Sequence, residues 1–327
     1  MLRYIAKRLV YIVFVFFVVS ILMFGIYKAV PGDPVAMQLD GKATSMTPEQ
    51  YQQLYDQTKE RLGLDKPVYV QYFVWITDMM QGNFGISSIH RLPVIRLVAE
   101  PMKNTILLNI VSLVLVFLIT IPLGIATAVK KGSKFDTAVQ VGTIVGYSMP
   151  SFVIALIAIV ILAVKIPLLP ISGVNTAGLT GSEWVMFKDK MYHMALPLIV
   201  MTISSLGSIT RYVRAAMIEA LSMDYIRTAR AKGLREKVVI YSHAFRNALI
   251  PVVTIITAWF VSIFSGSVVI ETIFLWNGMG KILLDSLLKQ DFAVVLAMQM
   301  FYVILTLAGN LLMDIAYGLV DPRVKLD

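Results

Sequence analysis

The chain contains no cysteine and little charge. The first absence excludes disulfides, thiolate metal sites and cysteine nucleophiles. Charged residues make up 15% of the 327 residues, against about 25% in soluble domains, so a water-soluble fold is not expected. Three histidines are present, His90, His193 and His243. No two stand at metal-ligand spacing, and no metal site is expected. Paired aspartates, a His-Glu-x-x-His run and a nucleophile with a base at membrane depth are all missing, so no catalytic residue is nominated. Alternating strand patterns are missing too, which excludes an outer-membrane barrel. No internal repeat or ion relay of the kind found in self-contained secondary transporters is visible, although that class stays as the alternative.

What the chain does have is apolar length. It is 57% hydrophobic with a mean hydropathy of +0.76, and runs near the roughly 20 residues that cross a bilayer recur along it. Only helices or closed barrels satisfy the backbone in lipid, so the expected fold is all-α, with six spans. These are residues 9–30, 105–129, 139–164, 194–210, 249–270 and 293–317. The first is too long for a signal h-region and lacks a small-residue cleavage site, so it is expected to be retained. The fourth is the shortest and is serine-rich.

Six spans put both termini on one face. That face carries sixteen lysines and arginines, and the two short loops opposite carry five, counting Lys165 at a helix end. The positive-inside rule makes the first face cytoplasmic. The organisation expected is an N-terminus and first span (1–30), an extracellular cap (31–104) and a five-helix core (105–327). In the cap, Thr47-Pro48-Glu49 supplies an N-cap followed by proline at the first helical position. Turn signals stand at Pro31-Gly32-Asp33-Pro34 and Gly63-Leu64-Asp65.

The loop over 211–248 is the most informative stretch, with eight basic and three acidic residues. Asp224 reads as an N-cap, residues 225–232 as a short helix and Gly233 as its stop. A second helix begins near Glu236. The charge alone satisfies the positive-inside rule. The ordered Ala229-Arg230-Ala231-Lys232-Gly233 run equally fits a docking element, because small residues admit a close surface.

The string YIRTARAKGLREKVVIYSHAFRNALIP (225–251) resembles the coupling loop of ABC-importer permeases of the dipeptide, oligopeptide and nickel branch. Arg227, Thr228 and Ala229 stand where the general motif has Glu-Ala-Ala, and Gly233 holds the motif glycine. The Ile-x-Leu-Pro that follows elsewhere is replaced by His243, Ala244, Phe245 and Arg246. The resemblance extends along the chain, through Lys7-Arg8-Leu9, Pro31-Gly32-Asp33-Pro34, Gly82-Asn83-Phe84-Gly85, Ser148-Met149-Pro150-Ser151-Phe152 and Asp321-Pro322-Arg323. It implies a type I importer half-pore. The partners implied are a second homologous permease, two cytoplasmic ATPases that bind ATP and magnesium, and an external peptide-binding protein. This chain itself would hold no cofactor. Asp224, Tyr225, Arg227, Thr228, Ala229, Arg230, Ala231, Lys232 and Gly233 would meet the ATPase. Oligopeptides are the favoured substrate, with dipeptides, nickel chelates and glutathione also carried by relatives.

Other residues have two readings. Gly142 and Gly146 form a GxxxG that suits close helix packing, and Pro150 suits a kink. Ser262 and Ser265 share a helix face and either line a substrate path or bond their own backbone. Asn310 and Asp314 stand four apart, where a structural ion pair is favoured. Gly278-Met279-Gly280-Lys281 lacks the first glycine of a phosphate loop, so no nucleotide site is expected there. The basic residues line the membrane underside in short loops, which excludes a nucleic-acid footprint.

Overall fold

The computed structural model describes residues 2–33, 35, 36, 39, 46–248, 259 and 262–320, with side chains from 6 to 314. In chain order its helices are α1 (Leu2–Ala29), α2 (Pro48–Arg61), α3 (Val68–Met80), α4 (Val94–Val129) and α5 (Lys134–Ser148). Then come α6 (Ser151–Ile159, continued by π-helical turns over Val160–Lys165), α7 (Glu183–Ser222) and α8 (Asp224–Ala231). The last are α9 (Glu236–Val238, continued over Val239–Phe245), α10 (Val268–Ile273), α11 (Met279–Leu288) and α12 (Phe292–Val320). Among the described residues the only strand-like pairing is the isolated bridge between Ile86 and Pro93.

Among the described residues four helices are long and apolar enough to span a bilayer, and the bent pair α5–α6 makes a fifth if it is one span. Most of the expected fifth span, 249–270, lies outside the described residues, as does the Asp321-Pro322-Arg323 tail. Two expected spans take a different form. The third bends by 100° between Ser148 and Ser151. Met149 precedes a proline and is forced into extended backbone (φ −81°, ψ 130°), so one span becomes two helices. The fourth is a 40-residue helix, more than twice the expected length. Over half of its most apolar stretch is buried in protein, so much of this helix meets other helices rather than lipid, and hydropathy underreads it.

The chain divides into two compact units. The first comprises residues 1–100 and 283–308. Its α2 starts as expected. The Thr47 side chain accepts from the Gln50 amide, and the Gln50 side chain accepts from the Thr47 amide, a complete capping box. Gly63 ends it with φ +65°. The next helix, α3, lies against α1. Tyr72 Oη is 2.7 Å from Ser20 Oγ, and Ile76 and Met79 pack with Phe16, Met23 and Met300. This part of the outer segment is therefore level with the middle of the first span. Asp291 ties the following loop down by accepting from the Ser87 and Ser88 hydroxyls and the Ser88 amide.

The second unit, 101–282 and 309–325, holds α5 to α10 and most of α4. Its helices approach closely at glycines. A Cβ on Gly207 of α7 would overlap the Thr143 carbonyl and sit 2.7 Å from Tyr147 Cβ on α5. One on Gly124 of α4 would sit 2.7 Å from Val213 Cβ on α7. The expected Gly142–Gly146 motif divides. Gly146 faces Ile203 of α7, whereas nothing lies within 4 Å of a Cβ on Gly142.

Candidate functional site

The end of α7 sets up the basic loop. Met223 leaves helical geometry (φ −74°, ψ 150°) and α8 begins at the next residue. Asp224 is thus the first helical residue rather than the expected N-cap, and no side chain caps α8. A one-residue break leaves the cap position to Met223. Asp224 still complements the positive helix start, and its 3.6 Å approach to Arg227 contributes little because both side chains are exposed. Gly233 stops the helix as expected. Its φ is +73°, its amide donates to the Arg230 carbonyl and the Leu234 amide donates to the Ala229 carbonyl, which closes a Schellman turn.

The short helix has two faces. Ile226 is 0% exposed and Ala229 is 4% exposed. Both pack with Val213, Met217 and Ala220 of α7 and with Val239, Ile240 and Ala244 of α9. Burying Ile226 contributes roughly 2 kcal/mol. Ala229, expected among the docking positions, is a packing residue in this structure. Asp224, Tyr225, Arg227, Thr228, Arg230, Ala231, Lys232 and Gly233 all face outward. Arg230 reaches Glu236 across the turn, with Nη2 2.7 Å from Oε1, and this bond holds the Glu236 carboxyl below its usual range. The loop is therefore a fixed protrusion with a basic, aromatic outer face.

A second feature stiffens the base of this protrusion. Arg214 on α7 donates from Nε and Nη2 to Asp136 on α5, at 2.8 and 2.7 Å. Asp136 also accepts from the Gly132 amide at 2.9 Å, and its own amide is capped by Ser133 Oγ. Sequence reasoning missed this pair, since 78 residues separate its members and both sit among charges that the positive-inside rule already explains.

The expected substrate-path residues Ser262 and Ser265 occur where the chain leaves helical conformation, between Ser262 and Val268. The expected continuous helix to residue 270 is thus interrupted. Ser267 caps the restart at α10 by accepting from the Ile270 amide. Asn109 of α4 donates from Nδ2 to the carbonyls of Ser262, Ile263 and Ser265 at 3.0, 3.0 and 3.1 Å. Ser262 Oγ also bonds the Trp259 carbonyl at 2.6 Å. Ser262 thus bonds its own backbone, one of its two expected readings, and it also borders a cavity of about 240 Å³.

Glu271 stands in α10, one residue beyond the expected fifth span. It is 1% exposed and accepts from Thr105 Oγ1 at 2.8 Å and from the Lys281 amide at 3.0 Å. Gly278 lies so close that a Cβ there would meet the carboxylate, and a Cβ on Gly266 would overlap the Gly280 amide. The glycines that faintly resemble a phosphate loop are thus close-approach positions around a buried acid. Trp276 seals the same knot, fully buried, with its indole N–H directed at the Asn104 carbonyl. Among the described residues no three His, Asp or Glu side chains are placed to hold a metal ion.

Comparison with known proteins gives these features a family. Residues 120–326 match the family described as "Binding-protein-dependent transport system inner membrane component". Residues 1–93 match its N-terminal companion, "Binding-prot-dependent transport system membrane comp, N-term". The chain is 39% identical over 326 residues to the oligopeptide transport system permease protein AppB of Bacillus subtilis, covering 99% of this chain and all of that one. It is 36% identical over 342 residues to the dipeptide transport system permease protein DppB of Escherichia coli K12, covering 99% of each. It is 35% identical over 341 residues to the di/tripeptide transport system permease protein DppB of Pseudomonas aeruginosa, again covering 99% of each. An all-helical, multi-pass membrane chain matched over its length in this way belongs to the binding-protein-dependent transport system inner membrane component family.

Proposed function

We propose that the chain is one half of the translocation pore of an ATP-driven importer that carries peptides delivered by an external binding protein. Oligopeptides are the first choice of substrate and dipeptides the second, following the named roles of its relatives. In this reading six helices cross the membrane, both termini are cytoplasmic and the segment 31–104 belongs to the extracytoplasmic side, with α3 lying back along α1. A second homologous permease completes the pore. Two cytoplasmic ATPases bind ATP and magnesium, and this chain carries no nucleotide site or cofactor of its own.

The observation that carries this reading is the construction of α8. Its inner face is fused by Ile226 and Ala229 to α7 and α9, while its outer face offers Tyr225, Arg227, Arg230 and Lys232. A partner pulling on that outer face moves α7, a continuous 40-residue helix, instead of bending a loose loop. Closure of an ATPase dimer is a rigid-body motion, and a rigid lever converts it into rocking between inward- and outward-facing states.

Crosslinking tests it. With the complex in native membranes, a photo-crosslinking residue at Thr228 or Lys232 is expected to capture a nucleotide-binding subunit. Probes across 225–237 that capture none would remove α8 as the coupling element. Purification in mild detergent is expected to bring an ATPase and a second permease along. A lone chain that still transports would favour the secondary-transporter class.

A further inference from the structure

A cavity lies beside the interrupted fifth span. It is lined by Asn109 and Ser112 of α4, Ser205 of α7, and Trp259, Ser262 and Ser265. Among the described residues no charged one borders it. Non-helical backbone within the membrane persists only where protein partners or a hydrated cavity satisfy it; this break has Asn109 as a partner and the cavity beside it. Asn109 supplies one Nδ2 to three carbonyls, and those neighbours fix which end of the amide is the donor. Its two protons are shared among three acceptors, and the Ser262 carbonyl also accepts from the Ser265 amide at 3.2 Å, so the acceptor capacity used here is that of the Ile263 carbonyl and of Asn109 Oδ1.

We propose that this cavity is a subsite for the main chain of an extended peptide in transit. Peptide N–H groups would donate to the Ile263 carbonyl and to Asn109 Oδ1, and peptide carbonyls would accept from serine hydroxyls such as those of Ser112 and Ser205. A neutral lining of hydroxyls and amides reads the feature that all peptides share and ignores their side chains. The volume of about 240 Å³ falls below the roughly 300 Å³ at which pockets for whole small ligands begin. It therefore suits a short run of main chain passing through, with the rest of the path supplied elsewhere in the pore. Asn109 is the positioning residue, because it holds the carbonyls in place. The subsite rests on the peptide-import reading and adds to it where the peptide is touched and by what chemistry.

The test uses the assembled transporter with its ATPases and binding protein. A photo-crosslinking amino acid in place of Leu113, which also lines the cavity, is expected to capture a radiolabelled alanine tetrapeptide during ATP-driven uptake. Ser112→Leu and Ser205→Leu are each expected to lower tetrapeptide uptake about tenfold, the loss of one or two hydrogen bonds. Asn109→Leu is expected to lower it further. Because that variant also releases the helix break, capture at position 113 in an otherwise unaltered chain is the deciding measurement. No capture there, while the same complex imports the tetrapeptide, overturns the subsite and leaves the importer reading intact. Failure of the unaltered complex to import any peptide defeats both.

Discussion

Removing the carboxylate of Asp136 separates the contribution of the α5–α7 pair from that of ordinary loop charges. Asp136 is 4% exposed, and the side chain of Arg214 is 21% exposed. Two short, nearly parallel bonds join them, and the Gly132 amide adds a third to the same carboxylate. Breaking a buried ion pair on one side costs about 3–5 kcal/mol, because the remaining charge stays desolvated. Arg214 keeps a fifth of its surface in contact with solvent, so the lower end applies, about 3 kcal/mol for Asp136→Ala. Replacing both members by apolar groups of similar size, as in Asp136→Leu with Arg214→Met, is expected to recover all but about 1 kcal/mol. Reversible denaturant titration of the detergent-solubilised protein measures both values. A single variant within 1 kcal/mol of the parent would refute the reasoning, as would a double variant as unstable as the single. The pair also joins α5 to the helix that carries α8, so the single variant is further expected to lower transport per ATP hydrolysed in the assembled complex.

Gly233→Val is expected to destabilise the protein by about 1–2 kcal/mol through backbone strain at φ +73° alone, since nothing lies within 4 Å of a Cβ there. Gly233→Asn should cost less because asparagine tolerates that conformation, and the ratio of uptake to ATP hydrolysis should follow the same order. Gly207→Ala is expected to abolish accumulation of folded protein, through overlap with the Thr143 carbonyl, while Gly142→Ala leaves the yield unchanged. Equal yields of the two variants would contradict the described helix contact. The outer segment should show acid sensitivity at Asp33. Partial burial pushes this carboxyl up, but hydrogen bonds from Tyr55 and the Ala36 and Val35 amides, with Lys59 nearby, more than offset it, so it sits below the usual carboxylate value. Its stabilising contribution is then complete above the unfolded value of about 3.9 and is lost as the pH falls through the lower folded value. Protease protection of residues 31–104 measured between pH 7 and pH 3 reports the loss, and Tyr55→Phe should shift the loss to higher pH.

Local chemistry was legible wherever it acts over a few residues. The N-cap at Thr47, the stop at Gly233 and the turn at Gly63 depend on neighbours within four or five positions, and each formed as the sequence implies. Pro150 was legible as a bend, though not as a turn of 100°. Side-chain direction around the helix axis was not legible. Hydropathy treats Ala229 and Ala231 alike, and only packing against α7 and α9 turns the first inward and leaves the second outside.

The amino-acid sequence alone determined that this is a membrane chain, which of its segments are apolar, where its positive charge accumulates and which family it resembles. All of these are sums over stretches of residues, and sums survive any arrangement of the helices. Tertiary structure alone decided that Asp136 pairs with Arg214, that Thr105 reaches Glu271 across 166 residues, and that Asn109 holds three carbonyls of an interrupted helix. The physical reason is that polar groups removed from water take whichever partner the packing brings within 3 Å. Rotation and depth of the helices, which no apolar run specifies, select that partner.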